Sequence, residues 1–327
     1  MSTILVLGAN SFSGNSLISV LAQSHEIIAV SRSKKLNPVF NRVSKENLEN
    51  VRFETWDFNE NPDKIINLIV KRRIKCIVNF AAQSMVGQSW EYPEDWYRAN
   101  VASFSQFLNR IHREAQIEKF LQFTTPEVYG STNGWIKENF NFAPSTPYAI
   151  SRAAGDWHLK ALQETFDFPV VFTRAANVYG EGQQLYRVIP RLIVSALTKR
   201  KFPLQGGGNS LRSFIHIDDV SHALERILDG GLPGETYHIS TRSLVSVFEL
   251  VETILNKLHV QYQDLINLAP ERKGKDFAYQ LDSEKIRDEL GWTDNISLSY
   301  GLDRTIEWVK ENLGELGKMP LEYIHRR

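Results

Sequence analysis

Thr3-Ile4-Leu5-Val6-Leu7-Gly8-Ala9-Asn10-Ser11-Phe12-Ser13-Gly14 decides the fold. The apolar run Thr3 to Leu7 has the length and β-branched content of a buried strand. It stops at Gly8, and apolar residues return at helical spacing from Asn15 to Ala22. A strand that turns through small residues into a helix brings backbone N–H groups to a helix N-terminus, where a pyrophosphate can sit. Gly8, Asn10, Ser11, Phe12, Ser13 and Gly14 are therefore candidate dinucleotide ligands. Ser11 stands where the usual three-glycine fingerprint has its middle glycine. On this segment alone, a tight turn without a ligand stays open.

The pattern repeats outward from that turn. Strands are expected at Glu26 to Val30, Val51 to Trp56, Lys75 to Phe80, Lys119 to Phe123 and Val170 to Thr173. Helices are expected at Ile65 to Val70, Trp96 to Ile111 and from Tyr148 to Glu164. Strands separated by helices of this length predict an α/β fold, a Rossmann-type doubly wound parallel sheet. Beyond about Leu185 the helical stretches Ile189 to Thr198, Val220 to Leu228 and Ser246 to Leu258 predict a smaller lobe. The expected division is residues 1–175, with segments returning near 212–240, as the dinucleotide-binding domain. Residues 176–327 then form mainly a substrate lobe, with the site in the cleft between them.

Composition excludes several classes. Lys plus Arg and Asp plus Glu both total 38, so no nucleic-acid or anionic-membrane partner is expected. The single cysteine, Cys76, cannot pair internally and sits in an apolar run, as a buried structural thiol would. The chain begins without a basic leader or a long apolar span, which predicts a soluble cytoplasmic protein. The histidines, His158 and His216 among them, show no metal-ligand spacing, and no metal is expected.

Two segments carry the chemistry. Thr124-Thr125-Pro126-Glu127-Val128-Tyr129-Gly130 puts a hydroxyl and a carboxylate just after a strand. Tyr148-Ala149-Ile150-Ser151-Arg152 puts a phenol and a cation one helical turn apart. A fixed cation favours phenolate and should lower the phenol's pKa. At the end of the second strand, Ser31-Arg32-Ser33-Lys34-Lys35 offers a hydroxyl and cations instead of a carboxylate. That chemistry suits a 2′-phosphate and leans to NADP; NAD and a plain solvated loop stay open.

These residues resemble the extended short-chain dehydrogenase/reductase superfamily, in its NAD(P)-dependent nucleotide-sugar epimerase/dehydratase group. The resemblance rests on Gly8 to Gly14, Asp57-Phe58, Asn79-Phe80-Ala81-Ala82-Gln83-Ser84, Thr124 to Gly130, Tyr148 to Arg152, Thr173 to Gly180, Arg212 to Val220 and Glu289 to Trp292. Within the group the chain is most similar to dTDP-glucose and GDP-mannose 4,6-dehydratases. The resemblance implies a nucleotide-sugar substrate and a catalytic set of Thr125, Glu127, Tyr148 and Arg152. Tyr148 would remove the sugar O4 proton while C4 gives hydride to the nicotinamide, and Thr125 would hold O4. Glu127 would take the acidified C5 proton, the C6 hydroxyl would leave as water, and the hydride would return to C6. Ser31, Arg32, Asp57, Phe58, Phe80, Ala81, Ala82 and Gln83 would join the turn in holding cofactor. Ser84, Asn177, Arg187, Val188, Gln205 and Arg212 would meet the substrate, with Arg212 and Asn177 on its pyrophosphate. The helices from Trp96 and Tyr148 resemble those that pair two subunits in a four-helix bundle, which implies a homodimer.

Two positions depart from the group's pattern. Arg152 replaces a nearly invariant lysine; it keeps the charge but not the lysine's contacts with ribose. Pro126 stands where dTDP-glucose-type dehydratases have an acid for the leaving hydroxyl, so Glu127 would have to serve as base and then acid. A C4 epimerase, a C4 oxidase and a dinucleotide-binding protein without catalysis remain alternatives.

Overall fold

The computed structural model describes residues 2–33, 36–271, 274 and 276–325. Lys34 and Lys35, part of the basic stretch read as leaning to NADP, lie outside the described residues. Seven strands form the central sheet: β1 (Thr3–Leu7), β2 (Glu26–Ser31), β3 (Val51–Thr55), β4 (Cys76–Asn79), β5 (Lys119–Thr124), β6 (Val170–Ala175) and β7 (Thr236–Ile239). Their order across the sheet is β7-β6-β5-β4-β1-β2-β3, and every neighbouring pair is parallel. β6 is buried along its whole length, as strands covered on both faces must be.

Helices cover both faces. Leu17 and Ile18 of α1 (Phe12–Leu21) share one core with Val220 and Leu224 of a later helix, Ile217–Gly230. The opposite face is closed by α2 (Pro62–Arg72), α3 (Phe104–Glu114) and α4 (Pro147–Phe166), through Ile65, Ile69, Phe107, Leu108, Ile111 and Leu159. A separate core lies beyond the sheet. It joins α5 (Val188–Leu197), α6 (Val247–Leu258) and α7 (Leu298–Glu311) through Ile189, Ile193, Leu250, Ile254, Leu302 and Ile306.

Between β1 and β4 the strand order reverses direction, and a crevice opens at the strands' carboxyl ends. Gly8 sits at its base with φ +76°, and a Cβ there would lie 2.6 Å from the Ala81 nitrogen. Gly14 is equally constrained, because a Cβ would lie 2.6 Å from the Gly8 carbonyl oxygen. Ser11 has ordinary extended backbone and accepts the Gly14 N–H as the cap of α1. The middle glycine is dispensable because this position needs a cap, not conformational freedom. The same cap starts α1 at Phe12, three residues before the apolar spacing predicts.

One expectation changes and another gains detail. The helix expected from Trp96 to Ile111 runs without interruption from Pro93 to the end of α3, widening into a π-helical segment at Arg98–Ser103. The wide turn carries Asn100, which accepts from the Gln83 N–H at 2.8 Å and donates to the Gln83 carbonyl at 3.0 Å. Cys76 is half-buried rather than buried, and burial pushes its thiol up to about 11, which keeps it protonated.

Gly8→Ala is expected to lower unfolding free energy by about 2 kcal/mol or more, since it adds both backbone strain and a clash with main chain. Urea denaturation measures this; an unchanged midpoint would show that the crossing of the turn and the Ala81 segment is not tight.

Candidate active site

A cavity of about 1060 Å³ runs along the carboxyl ends of the strands to the start of α5 and α6. Every catalytic, cofactor or substrate residue expected above borders it except Gly14, which shapes the turn from behind. Asn10 ties the turn to the end of β2, donating to the Ser33 Oγ at 2.9 Å and to its carbonyl at 3.2 Å. Ser31 ends β2 and is buried, whereas Arg32 is exposed. Asp57 turns one carboxylate oxygen onto the Asn59 N–H at 2.8 Å, and Phe58 packs against Phe104 and Phe107. Asn79 receives the Ala81 N–H at 3.1 Å, and the Phe80 ring lies 5.0 Å from that of Phe123. Asn100 clamps Gln83, two residues after Ala81, and donates to Ser151 on α4.

The middle of the cavity is built by one local device used twice. Thr125 caps a single 3₁₀ turn with Pro126 in its first position, and Glu127 follows, facing the cavity. Thr146 caps α4 with Pro147 in its first position, and Tyr148 follows. A hydroxyl cap and a proline with its preset φ make each turn start at a defined residue. The side chain after the proline is thereby aimed. The two turns bring Thr125 within hydrogen-bonding reach of the Tyr148 hydroxyl, with the Glu127 and Arg152 charges both acting on it.

Burial raises the Tyr148 phenol above its ordinary value. Arg152, the Thr125 hydrogen bond and Arg187 pull it back down, while Glu127 pushes it up. The lowered phenol expected from Arg152 alone is thus corrected: the cation acts in that direction, but desolvation of a fully buried group outweighs it. Arg152 is itself buried and gives its Nη2 to the Phe123 carbonyl at 2.6 Å. That bond ties α4 to the end of β5.

Beneath the Glu127 turn lies a charged platform. Asp156, one helical turn past Arg152, pairs with Arg174 of β6 at 3.0 Å, and both side chains are wholly buried. Thr124 donates to the same carboxylate oxygen at 3.0 Å. The Arg174 guanidinium lies 5.2 Å from the Tyr129 ring centre, 5.2 Å from that of Phe140 and 4.9 Å from that of Phe142. His238 Nδ1 faces the Asp282 carbonyl at 3.0 Å, so it carries the proton, and Nε2 accepts from the Tyr129 hydroxyl at 2.9 Å. Burial, with the nearby Arg174 charge, pushes His238 down to about 3.

On the far side, Arg187 precedes α5 and lies over the Tyr186 ring, with Val188 opening the helix. Gln205 ends a short strand before Gly206-Gly207-Gly208. Arg212 spends three of its N–H groups on the carbonyls of Leu211, Phe277 and Asp276, which leaves two of the five guanidinium donors. Ser84 is exposed on the cavity rim. Tyr279 and Asp276 escaped the sequence reading. Tyr279 donates to Asn177 Oδ1 at 2.9 Å and carries the Arg212 guanidinium 4.5 Å above its ring. Asp276 accepts from Ser145 at 2.9 Å, and burial raises its carboxyl. No spacing announces either, because both lie in a loop that reaches the site only through tertiary packing. Among the described residues no cluster of His, Cys, Asp and Glu could hold a metal.

The sequence profile of the NAD dependent epimerase/dehydratase family matches residues 4–240. The chain belongs to this family. It is 30% identical over 318 residues to a dTDP-glucose 4,6-dehydratase of Streptomyces niveus, covering 94% of this chain and 93% of that one. It is 30% identical to human dTDP-D-glucose 4,6-dehydratase, over 94% of this chain and 90% of that one. Among solved structures it is similar to the Streptomyces venezuelae dTDP-glucose 4,6-dehydratase DesIV with NAD bound. The TM-score is 0.86 at 29% identity, over 95% of this chain and 98% of that one. The family's dinucleotide and the NAD in that relative give no support to the lean towards NADP.

The platform makes two predictions. Asp156→Ala strands the Arg174 charge in the interior and should cost about 3–5 kcal/mol of stability; a loss below 1 kcal/mol by urea denaturation would contradict it. His238 titrates near 3 folded and near ~6.5 unfolded. Between these values the unfolded chain binds the extra proton, so stability rises with pH and is lost as pH falls, by about 1.4 kcal/mol per unit. His238→Gln should flatten the stability slope between pH 6 and 4 by about that amount.

Proposed function

We propose that this protein is a nucleotide-sugar 4,6-dehydratase that turns a hexose nucleotide into its 4-keto-6-deoxy derivative. The observation that carries the reading is the meeting of Thr125, Glu127 and Tyr148 in one cavity with a dinucleotide cradle. The cradle fits a dinucleotide: at Gly8 a Cβ would collide with main chain, and α1 opens its N-terminus into the cavity. Gly8, Asn10, Ser11, Phe12 and Ser13 would hold the pyrophosphate, with Ser31, Arg32, Asp57 and Phe58 around the adenosine and Phe80 to Gln83 along the nicotinamide side. Bound there, NAD would supply reversible hydride acceptance between C4 and C6, with no net consumption of cofactor.

The protein's own groups move the protons. Tyr148 takes the O4 proton, with Thr125 holding the oxygen and Arg152 steadying the phenolate. The ketone at C4 acidifies C5, and Glu127 takes that proton. Pro126 has no titratable group, so Glu127 hands the proton to the departing C6 hydroxyl, which leaves as water. As C6 is reduced, C5 takes a proton from solvent water, and Tyr148 releases the O4 proton to solvent, which balances it. Asn177, Arg187, Val188, Gln205 and Arg212 hold the nucleoside diphosphate, and Ser84 meets the sugar. Residues 1–175 with 212–240 act as the dinucleotide domain, and the remainder as the substrate lobe.

The same reading includes a cytoplasmic homodimer. Tyr97, on the short helix at Pro93, and Ile150 and Trp157 of α4 are large apolar side chains left exposed, on the two helical stretches expected to pair. Among the described residues no helix is long and apolar enough to cross a membrane. A dimeric mass by light scattering, reduced to a monomer by Trp157→Glu, is the expected result.

Mass spectrometry after incubation with dTDP-glucose, UDP-glucose and GDP-mannose tests the activity. Loss of one water from a substrate, without net cofactor consumption, is expected. Glu127→Gln should abolish elimination, and Tyr148→Phe should slow it by about 10²–10⁴-fold. Inversion at C4 with no loss of water would favour an epimerase, the reading that Pro126 keeps in view.

A further inference from the structure

The cavity has a wall that no catalytic motif predicts. Glu322, Tyr323 and Ile324 border it, together with Glu127, Arg187 and the Met85–Gln88 segment. Met319 and Leu321 pack on the second lobe's core, and Glu322 pairs with Arg191 of α5. From there the chain crosses to the sheet domain. His325 enters a slot between two rings, 5.3 Å from Tyr92 and nearly parallel to it, and 5.1 Å from Trp96. Its Nε2 is 2.8 Å from Asp95 Oδ2. Its side chain is only 8% exposed, so the slot is a formed receptor for this one ring.

Tyr323 hangs in the middle of this crossing. Its ring meets Tyr186 edge-on at 5.3 Å and His325 at 6.2 Å. Tyr186 in turn lies under Arg187, 5.5 Å from the guanidinium carbon. A continuous chain of ring contacts, edge-on, tilted and stacked in turn, therefore runs Arg187, Tyr186, Tyr323, His325, Trp96 across the cavity wall. Arg187 is near enough to Tyr148 for its charge to act on the phenol. This chain of contacts thus stands at the sugar end of the cavity, not at the adenosine end.

We propose that Tyr323 is a specificity-determining residue that contacts the sugar–diphosphate part of the substrate, and that His325 is the positioning residue that latches it there. An aromatic ring with a hydroxyl is suited to such a contact, because its face packs on sugar C–H groups and its edge can hydrogen-bond. Latching at His325 also keeps the segment from leaving the cleft, so the ordering cost is met before substrate arrives. The proposal rests on the nucleotide-sugar reading above.

Three variants test it: Tyr323→Ala, His325→Ala and His325→Phe, the last keeping the stack but not the Asp95 hydrogen bond. Each is checked first for an unchanged thermal midpoint. With the nucleotide sugar that the wild type dehydrates, Tyr323→Ala should raise KM about tenfold with kcat within about twofold. His325→Ala should raise KM in the same direction, and His325→Phe should recover part of the loss. An unchanged KM in both alanine variants would overturn the proposal, as would an equal fall in kcat and stability, the mark of a packing role. Calorimetric binding of dTDP, UDP and GDP separates the two failures. A wild type that binds a nucleoside diphosphate but dehydrates none of the sugars defeats the dehydratase reading. The wall then stands or falls on whether Tyr323→Ala weakens that binding.

Discussion

The buried pair of Asp156 and Arg174 holds together the parts on which the cavity depends. Asp156 belongs to α4, Arg174 to β6, and Thr124, bonded to the same carboxylate, to β5. Two charges taken wholly out of water are stable only while each keeps its partner. The pair therefore sets the height of α4 against the sheet, and with it the positions of Tyr148 and Arg152. On the other side of Arg174, three aromatic rings take up the cation's remaining face, and one of them, Tyr129, closes the turn that carries Glu127. The proposed base and the proposed phenol are placed by one interaction between them.

The departures from the family's pattern have local consequences that the structure makes concrete. Pro126 is buried and starts the turn, so the position contributes shape instead of an acid. Arg152 reaches the Phe123 carbonyl, a bond that links helix to strand and leaves its charge beside the phenol. Its long planar head does the positioning that a shorter, point-charged lysine would not. Ser11 shows the opposite case, a replacement without loss, because a cap is what its backbone conformation calls for.

Much of the fold was legible before any coordinates. β1 runs from Thr3 to Leu7 as its apolar run implies, and the parallel, doubly wound sheet follows from the alternation of strands and helices. The cavity's floor was legible too, since Gly8, Thr125, Glu127 and Tyr148 all sit at junctions between regular elements, and Arg152 follows Tyr148 by one helical turn. The π turn in the helix after Trp96 was not, because no residue type marks it; the contact it carries, from Asn100 to Gln83, exists only across space. Tyr279, Asp276 and Tyr323 were equally hidden. Each lies outside a helix or sheet strand, and each acquires its place from a partner far along the chain.

The sequence by itself determined the sheet, the dinucleotide turn and the two Thr-Pro turns that aim Glu127 and Tyr148, because these depend on residues within a few positions of one another. Tertiary structure alone decided the net direction of the Tyr148 shift, the aromatic seat of Arg174 and the cavity wall at Glu322, Tyr323 and Ile324. Desolvation and stacking depend on which distant groups surround a side chain, and that is settled only when the whole chain has packed.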